Sequence, residues 1–162
     1  MNVQEAIEVL DTQITNPSLG LPEQIFQFFS RNTPMVNVDL LIKDENKRTL
    51  LSWRDATSGS GWHVPGGIIR FKESFEYRIK KVAELEIGSA VRFDPIPIAF
   101  NQVILEQITR GHFISFLYKC FLSSDFIPPN KGLSEREPGF LQWHNSCPDN
   151  LIKVHKMYIP YF

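Results

Sequence analysis

Glu86 is the residue on which most chemistry can turn. If 74–87 form a helix, with Phe75, Ile79, Val82 and Ala83 as its apolar stripe and Gly88 as its stop, then at 100° per residue Glu86 falls within about 20° of both Phe75 and Ile79. A carboxylate there lies on the apolar stripe and at the helix C-terminus, where the dipole repels an anion by roughly 0.3–1 kcal/mol. Burial adds to that cost unless a cation compensates. Upstream, Trp62-His63-Val64-Pro65-Gly66-Gly67 brings backbone carbonyls close, because glycine permits close approach. Carbonyl, helix and helix-end carboxylate together suit a hard divalent cation meeting a diphosphate. Mg²⁺ takes one or two carboxylates, keeps several waters and completes its shell with phosphate oxygens. The Gly67 carbonyl would add a ligand. The residues leave a second solution open, in which Glu86 pairs with a Lys or Arg from a neighbouring strand.

The elements that must position this group can be read from periodicity. Val3, Ala6, Ile7, Leu10 and Ile14 recur at helical spacing over 3–15, and Asn16-Pro17 with Gly20 ends that segment. A second helix is expected over 22–30, with Ile25, Phe28 and Phe29 as its buried side. Val36, Val38, Leu40 and Ile42 alternate with Asn37, Asp39, Leu41 and Lys43, and 49–53 follow a polar turn, so these form a hairpin. A loop over 55–61 precedes a short strand at 62–64. The central helix at 74–87 is followed by strand-like runs at 96–105 and 112–122, a long Pro-Pro loop, a strand at 139–143 and a last helix at 149–157. The expected architecture is α/β, a mixed β-sheet packed between helices, with 1–20 as an N-terminal helical extension and 21–162 as the main domain.

Composition bounds the function. A chain of 162 residues with 43% hydrophobic content can bury one core. Seventeen basic and eighteen acidic residues, without runs of like charge, imply neither nucleic acid nor an anionic membrane as partner. Cys120 and Cys147 lack the spacing of a redox or zinc motif, and no apolar stretch reaches the ~20 residues of a membrane span. With no basic-then-apolar leader visible, a reducing cytoplasm is the expected location.

Gly67, Glu73, Lys81-Val82-Ala83-Glu84-Leu85-Glu86-Ile87-Gly88 resembles the Nudix box, G-x5-E-x7-R-E-U-x-E-E-x-G-U. Lys81 stands for the arginine, and Val82 and Leu85 replace two glutamates. The GDP-mannose mannosyl hydrolase branch of the Nudix hydrolases lacks the same two acids. Asn32-Thr33-Pro34 before Val38-Asp39, Leu50-Leu51-Ser52-Trp53-Arg54, and the Trp62–Gly67 segment are similar to that branch, over about residues 21–144. The resemblance implies a Mg²⁺-dependent hydrolase, with Mn²⁺ as an alternative metal, acting on a nucleoside diphosphate sugar. It implies Glu86 and Gly67 as metal ligands, Arg54 as donor to the diphosphate, Asp39 near the nucleotide, Lys81 in place of an arginine, and a homodimer. Glu73 reads as structural, capping the helix and pairing with Lys81. Arg110 and His112 are further candidates for a phosphate or sugar contact, against the simpler view of a solvated pair at a turn.

The chain also departs from that branch. A Gln-His pair supplying a ligand and the base is replaced by Ser134-Glu135-Arg136-Glu137-Pro138-Gly139-Phe140. Glu137 is the best substitute as metal ligand or base, with Glu135 behind it. His63 reads as a surface or core residue, His144 and His155 have no motif, and Trp143 reads as core. Phe28, Phe29, Tyr158 and Phe162 are candidates for an interface or for covering the core. Two other outcomes stay open: cleavage at phosphorus, as in conventional Nudix pyrophosphohydrolases, or a nucleotide-binding module without turnover.

Overall fold

The computed structural model describes residues 2–55 and 59–162. Residues 56–58 of the expected loop lie outside this range. Eight strands form one mixed sheet: β1 Met35–Lys43, β2 Thr49–Arg54, β3 Gly61–His63, β4 Gly66–Ile68, β5 Arg92–Phe93, β6 Ala99–Ile104, β7 His112–Phe121 and β8 Leu141–His144. Their central order is β3-β2-β1-β7-β5, with β4 also on β1, β6 on β7 and β8 on β2. The β1–β7 pairing is parallel and every other one is antiparallel. The strands at 35–43, 49–54 and 112–121 match the sequence pattern. The short β4 and β5 carry too few residues for a periodic signal.

β1 is the hub, and both of its faces are covered. Val38, Leu40 and Ile42 pack with Ile79, Val82, Ala83 and Ile87 on one side. Leu41 packs with Trp53, Trp62, Leu117 and Tyr158 on the other. A strand buried on both faces needs a continuous apolar run, which is why Leu41, grouped with the polar side by alternation, is buried.

Helices α1 Val3–Gln13, α2 Glu23–Ser30 and α3 Phe75–Val82 form where periodicity places them. Asn2 and Glu5 close a capping box on α1, none of whose residues is buried. On α2, Ile25 is buried, but Phe28 and Phe29 are 42% and 36% exposed rather than forming the buried side. The last element is a 3-10 helix, Lys153–Tyr161, displaced from the expected 149–157 and packed across the second face of the sheet. Tyr158 within it has no exposed surface and cannot serve an interface, and Phe162 packs against the same core. Trp143 packs on the first core and donates its indole N–H to the Phe126 carbonyl. No helix among the described residues is long and apolar enough to cross a membrane.

Candidate active site

The two glycines sit where strand and helix press together. Asp39 pairs with Gly66 and Val38 with Gly67 between β1 and β4, and the Leu40 N–H donates to the Pro65 carbonyl at 2.8 Å. A Cβ on Gly67 would meet Val82 Cγ2 at 2.9 Å, so glycine here lets α3 lie close on the sheet. A Cβ on Gly66 would collide with the Asp39 carboxylate and lie 2.8 Å from the Val38 carbonyl oxygen. Gly66→Ala is therefore expected to lower stability by about 1–3 kcal/mol, read as a shift in the urea unfolding midpoint. An unchanged midpoint would mean that β1 and β4 are not held this close.

Ser74 caps α3, accepting from the Tyr77 N–H at 3.1 Å. The cap is thus Ser74 and not Glu73. Glu73 instead receives the Arg70 N–H at 2.8 Å and a double contact from the Arg78 guanidinium at 2.5–2.8 Å. Burial pushes the Glu73 carboxyl up in pKa, and the Arg78 and Arg70 hydrogen bonds overcome it and hold it low. Arg78, one turn earlier than expected, takes the role anticipated for Lys81. Lys81 pairs outward with Glu84 at 2.7 Å and lies over the Tyr77 ring. Nothing in its contacts turns it toward Glu86.

After Val82 the helix widens into one π turn, Ala83–Ile87, closed by Gly88 at φ 71°. Such turns are rare and frequent at functional sites. The wider turn takes Glu86 off the position a 3.6-residue wheel gives it: its side chain is 30% exposed, and its Oε2 lies 3.5 Å from His63 Nε2. Its neighbour is neither Lys nor Arg but this histidine, itself 8% exposed.

Behind it lies a buried polar chain. Asp39 receives the Ser115 hydroxyl and, at 2.5 Å, the Tyr158 hydroxyl. Burial pushes the Asp39 pKa up to about 6, against those two hydrogen bonds and the nearby His63, while Glu86 adds to the rise. Burial, then the Asp39 charge, keep the Tyr158 phenol protonated. His155 Nδ1 accepts the Val64 N–H at 2.9 Å. Burial, then His63 and Arg54, push its pKa down to about 3, so the ring is neutral.

The fold of this chain recurs in solved structures. A candidate asymmetric diadenosine tetraphosphate hydrolase from Jonesia denitrificans superposes with a TM-score of 0.61 at 18% identity, over 80% of this chain and 92% of that one. A MutT Nudix hydrolase from Burkholderia pseudomallei gives 0.59 at 18% identity, over 80% and 98%. The chain has the Nudix fold. The low-salt glycan biosynthesis protein Agl8 of Haloferax volcanii is 27% identical over 139 aligned positions, covering 75% of this chain and 88% of that protein. No family model matches the chain.

Against the Nudix box, the two substituted positions are spent on other work. Val82 is buried in the core under Gly67, and Leu85 is 72% exposed. Neither can ligate, and among the described residues no three His, Cys, Asp or Glu side chains gather into a metal site. Glu137 is therefore not grouped with Glu86 and His63. It is exposed, with its carboxylate accepting the Ser134 N–H at 2.8 Å. Its turn is nonetheless tied to β2, since Gly139 N–H donates to the Trp53 carbonyl and Trp53 N–H to that of Phe140. Trp53 precedes Arg54, which is exposed at the strand end and whose charge reaches His155.

Arg110 and His112 lie elsewhere. The β1–β7 register sets Leu117 beside Asp39, so His112 is five residues, about 16 Å, along the strand from that level. Its Nε2 meets the Gln102 amide at 3.0 Å, and Arg110 lies over Phe26 with its N–H on Ser30. The structure brings Asp39, Gly66, Gly67 and Glu86 together and leaves these two apart. Sequence reading missed His63, Ser115, His155 and Tyr158. Ser115, a small polar residue inside a mostly apolar strand, carried the same signal as Asp39. Tyr158 carried none, because only the tertiary fold brings it to β1.

Proposed function

We propose that this protein is a Mg²⁺-dependent hydrolase of a nucleoside diphosphate sugar, GDP-mannose-like, releasing nucleoside diphosphate and free sugar. The observation that carries this reading is Glu86: a partly exposed carboxylate at a helix C-terminus, close enough to buried Asp39 to raise its pKa. Two acids so placed, with His63 beside Glu86 and neither acid paired with a Lys or Arg among the described residues, fit a cation. Glu86 would hold it, with the Gly67 carbonyl as a further donor and water and substrate oxygens completing the shell. A bound Mg²⁺ would neutralise charge on the diphosphate leaving group.

The chain's own groups supply the rest. Arg54 presents a planar fork to the diphosphate. Glu137, on the turn tied to the strand carrying Arg54, takes the proton of a water whose oxygen bonds to the sugar's anomeric carbon. The bond from that carbon to the diphosphate oxygen breaks, and the nucleoside diphosphate leaves with the electron pair. Val82 and Leu85 favour attack at carbon, since the acids that gather several metals for attack at phosphorus are missing. A sugar-bearing substrate accords with the Haloferax volcanii relative, a glycan biosynthesis protein. A homodimer belongs to the same proposal, with exposed Phe28 and Phe29 as interface residues.

Incubation with a panel of nucleoside diphosphate sugars, with and without Mg²⁺, resolves the products by phosphorus NMR. Nucleoside diphosphate formed only with Mg²⁺ is expected. Monophosphates would transfer the reading to cleavage at phosphorus. Tight nucleotide binding without product would make the protein a binding module.

A further inference from the structure

His63 is a buried imidazole that the chain leaves incomplete. Its Nδ1 is buried without a partner, and its Nε2 makes no hydrogen bond among the described residues, facing only Glu86 Oε2 at 3.5 Å. Buried polar groups are rarely left so, and of the two ring nitrogens Nε2 is the one that faces a charged group. The ring is held all the same: it lies tilted at 50° beside the His155 ring, centroids 6.1 Å apart, and its strand is paired to β2 through Ser52.

The separation from Glu86 is informative. Two ligand atoms each about 2.1 Å from one ion stand roughly 3.0–3.4 Å apart at octahedral or tetrahedral angles. A direct charge-assisted hydrogen bond would draw them to about 2.7–2.9 Å. At 3.5 Å the pair stands just beyond the tetrahedral end of that range and well past the length of a direct charge-assisted hydrogen bond, so a small closing movement would bring both atoms onto one ion. Glu86 is reachable from solvent, His63 is aimed at it, and Val82 and Leu85 offer no competing donor.

We propose that His63 Nε2 is a nitrogen ligand beside Glu86, which lets this site take a first-row transition ion of the Mn²⁺ class as well as Mg²⁺. The inference rests on the hydrolase reading only in placing a cation at Glu86. An imidazole donor shifts a site away from hard, all-oxygen ions. The site would hold its ion with few protein donors and leave most of the shell to water and substrate.

The test uses the full chain, labelled with ¹⁵N-histidine, and Mn²⁺ alone as probe. Pulsed EPR of the Mn²⁺-loaded protein is expected to show nitrogen hyperfine coupling that changes with the isotope. In His63→Phe the coupling is expected to vanish and the Mn²⁺ dissociation constant to weaken by at least about tenfold. His112→Gln, far from Glu86, should keep both. Mn²⁺ held without nitrogen coupling, coupling that survives His63→Phe, or no Mn²⁺ binding by the unsubstituted chain would each overturn the proposal. The labelled, unsubstituted chain reports the nitrogen ligand even if His63→Phe fails to fold. Failure of the hydrolase reading is separate. Sugar nucleotide turnover without nitrogen coupling removes His63 and leaves the enzyme, whereas coupling without turnover keeps the ligand and removes the enzyme.

Discussion

Glu86→Gln is expected to lower Mg²⁺-dependent turnover of a nucleoside diphosphate sugar by at least about 10²-fold while leaving the fold intact. The two effects part because of where Glu86 sits. It lies on the π turn after α3, partly exposed, and among the described residues it meets the sheet only at His63 Nε2, 3.5 Å away. Glutamine preserves the shape and removes a negative charge that the helix end disfavours, which is worth about 0.3–1 kcal/mol in favour of the variant. The urea midpoint should therefore stay level or rise, and phosphorus NMR should show little product. Turnover within tenfold of the unsubstituted protein would remove Glu86 from the mechanism. A collapse of the midpoint would show instead that Glu86 is held by the fold.

The second large effect is a stability profile with two opposed slopes. Asp39 has its pKa raised from 3.8 to about 6 by burial, so between about pH 4 and 6 the folded protein keeps a proton that the unfolded chain has released. Stability from this group is full below pH 4 and lost as pH rises through 6, by about 3 kcal/mol. His155 has its pKa lowered from 6.5 to about 3, again by burial, so the unfolded chain takes up a proton that the folded ring refuses. Stability from this group is full above pH 6.5 and lost as pH falls toward 3, by about 5 kcal/mol. From pH 4 to 6 the two nearly cancel, giving a plateau, and below pH 4 only the loss from His155 continues. His155→Gln, which keeps an acceptor for the Val64 N–H, should grow more stable as pH drops from 6 to 4. Asp39→Asn should lose stability steadily over the same range. Urea unfolding at pH 4, 5, 6 and 7 reads all three, and identical slopes in the three proteins would refute this account.

The scaffold was legible in the sequence because it rests on long periodic segments. β1, β2, β7, α1, α2 and α3 all carry five or more residues with a defined apolar pattern. The Gly66-Gly67 and Glu86 spacing named the fold for the same reason: the contacts it encodes are local, between a strand, a turn and the next helix. What was not legible depends on distant chain. Phe28 and Phe29 are apolar yet stay partly exposed, since no described segment covers them fully, and Tyr158 reads as a candidate for an interface or for covering the core until the terminal 3-10 helix folds back on Asp39. His63, read as a surface or core residue, is buried, and its approach to Glu86 depends on the π turn, which a regular wheel does not contain. Lys81 was misread because Arg78, one turn earlier, is the cation that reaches Glu73.

The parallel pairing of β1 with β7 sets an order of assembly. Asp39 finds Ser115 only 76 residues later in the chain and Tyr158 only 119 later. As the polypeptide emerges from N- to C-terminus, the hub strand therefore waits with one edge open and its carboxylate hydrated until β7 arrives, then loses that water when the final segment closes. Contacts of such long sequence separation slow folding and prolong exposure of an unpaired edge. The nascent chain should be most prone to self-association after residue 54 and before residue 121, when β1 and β2 exist and their parallel neighbour does not.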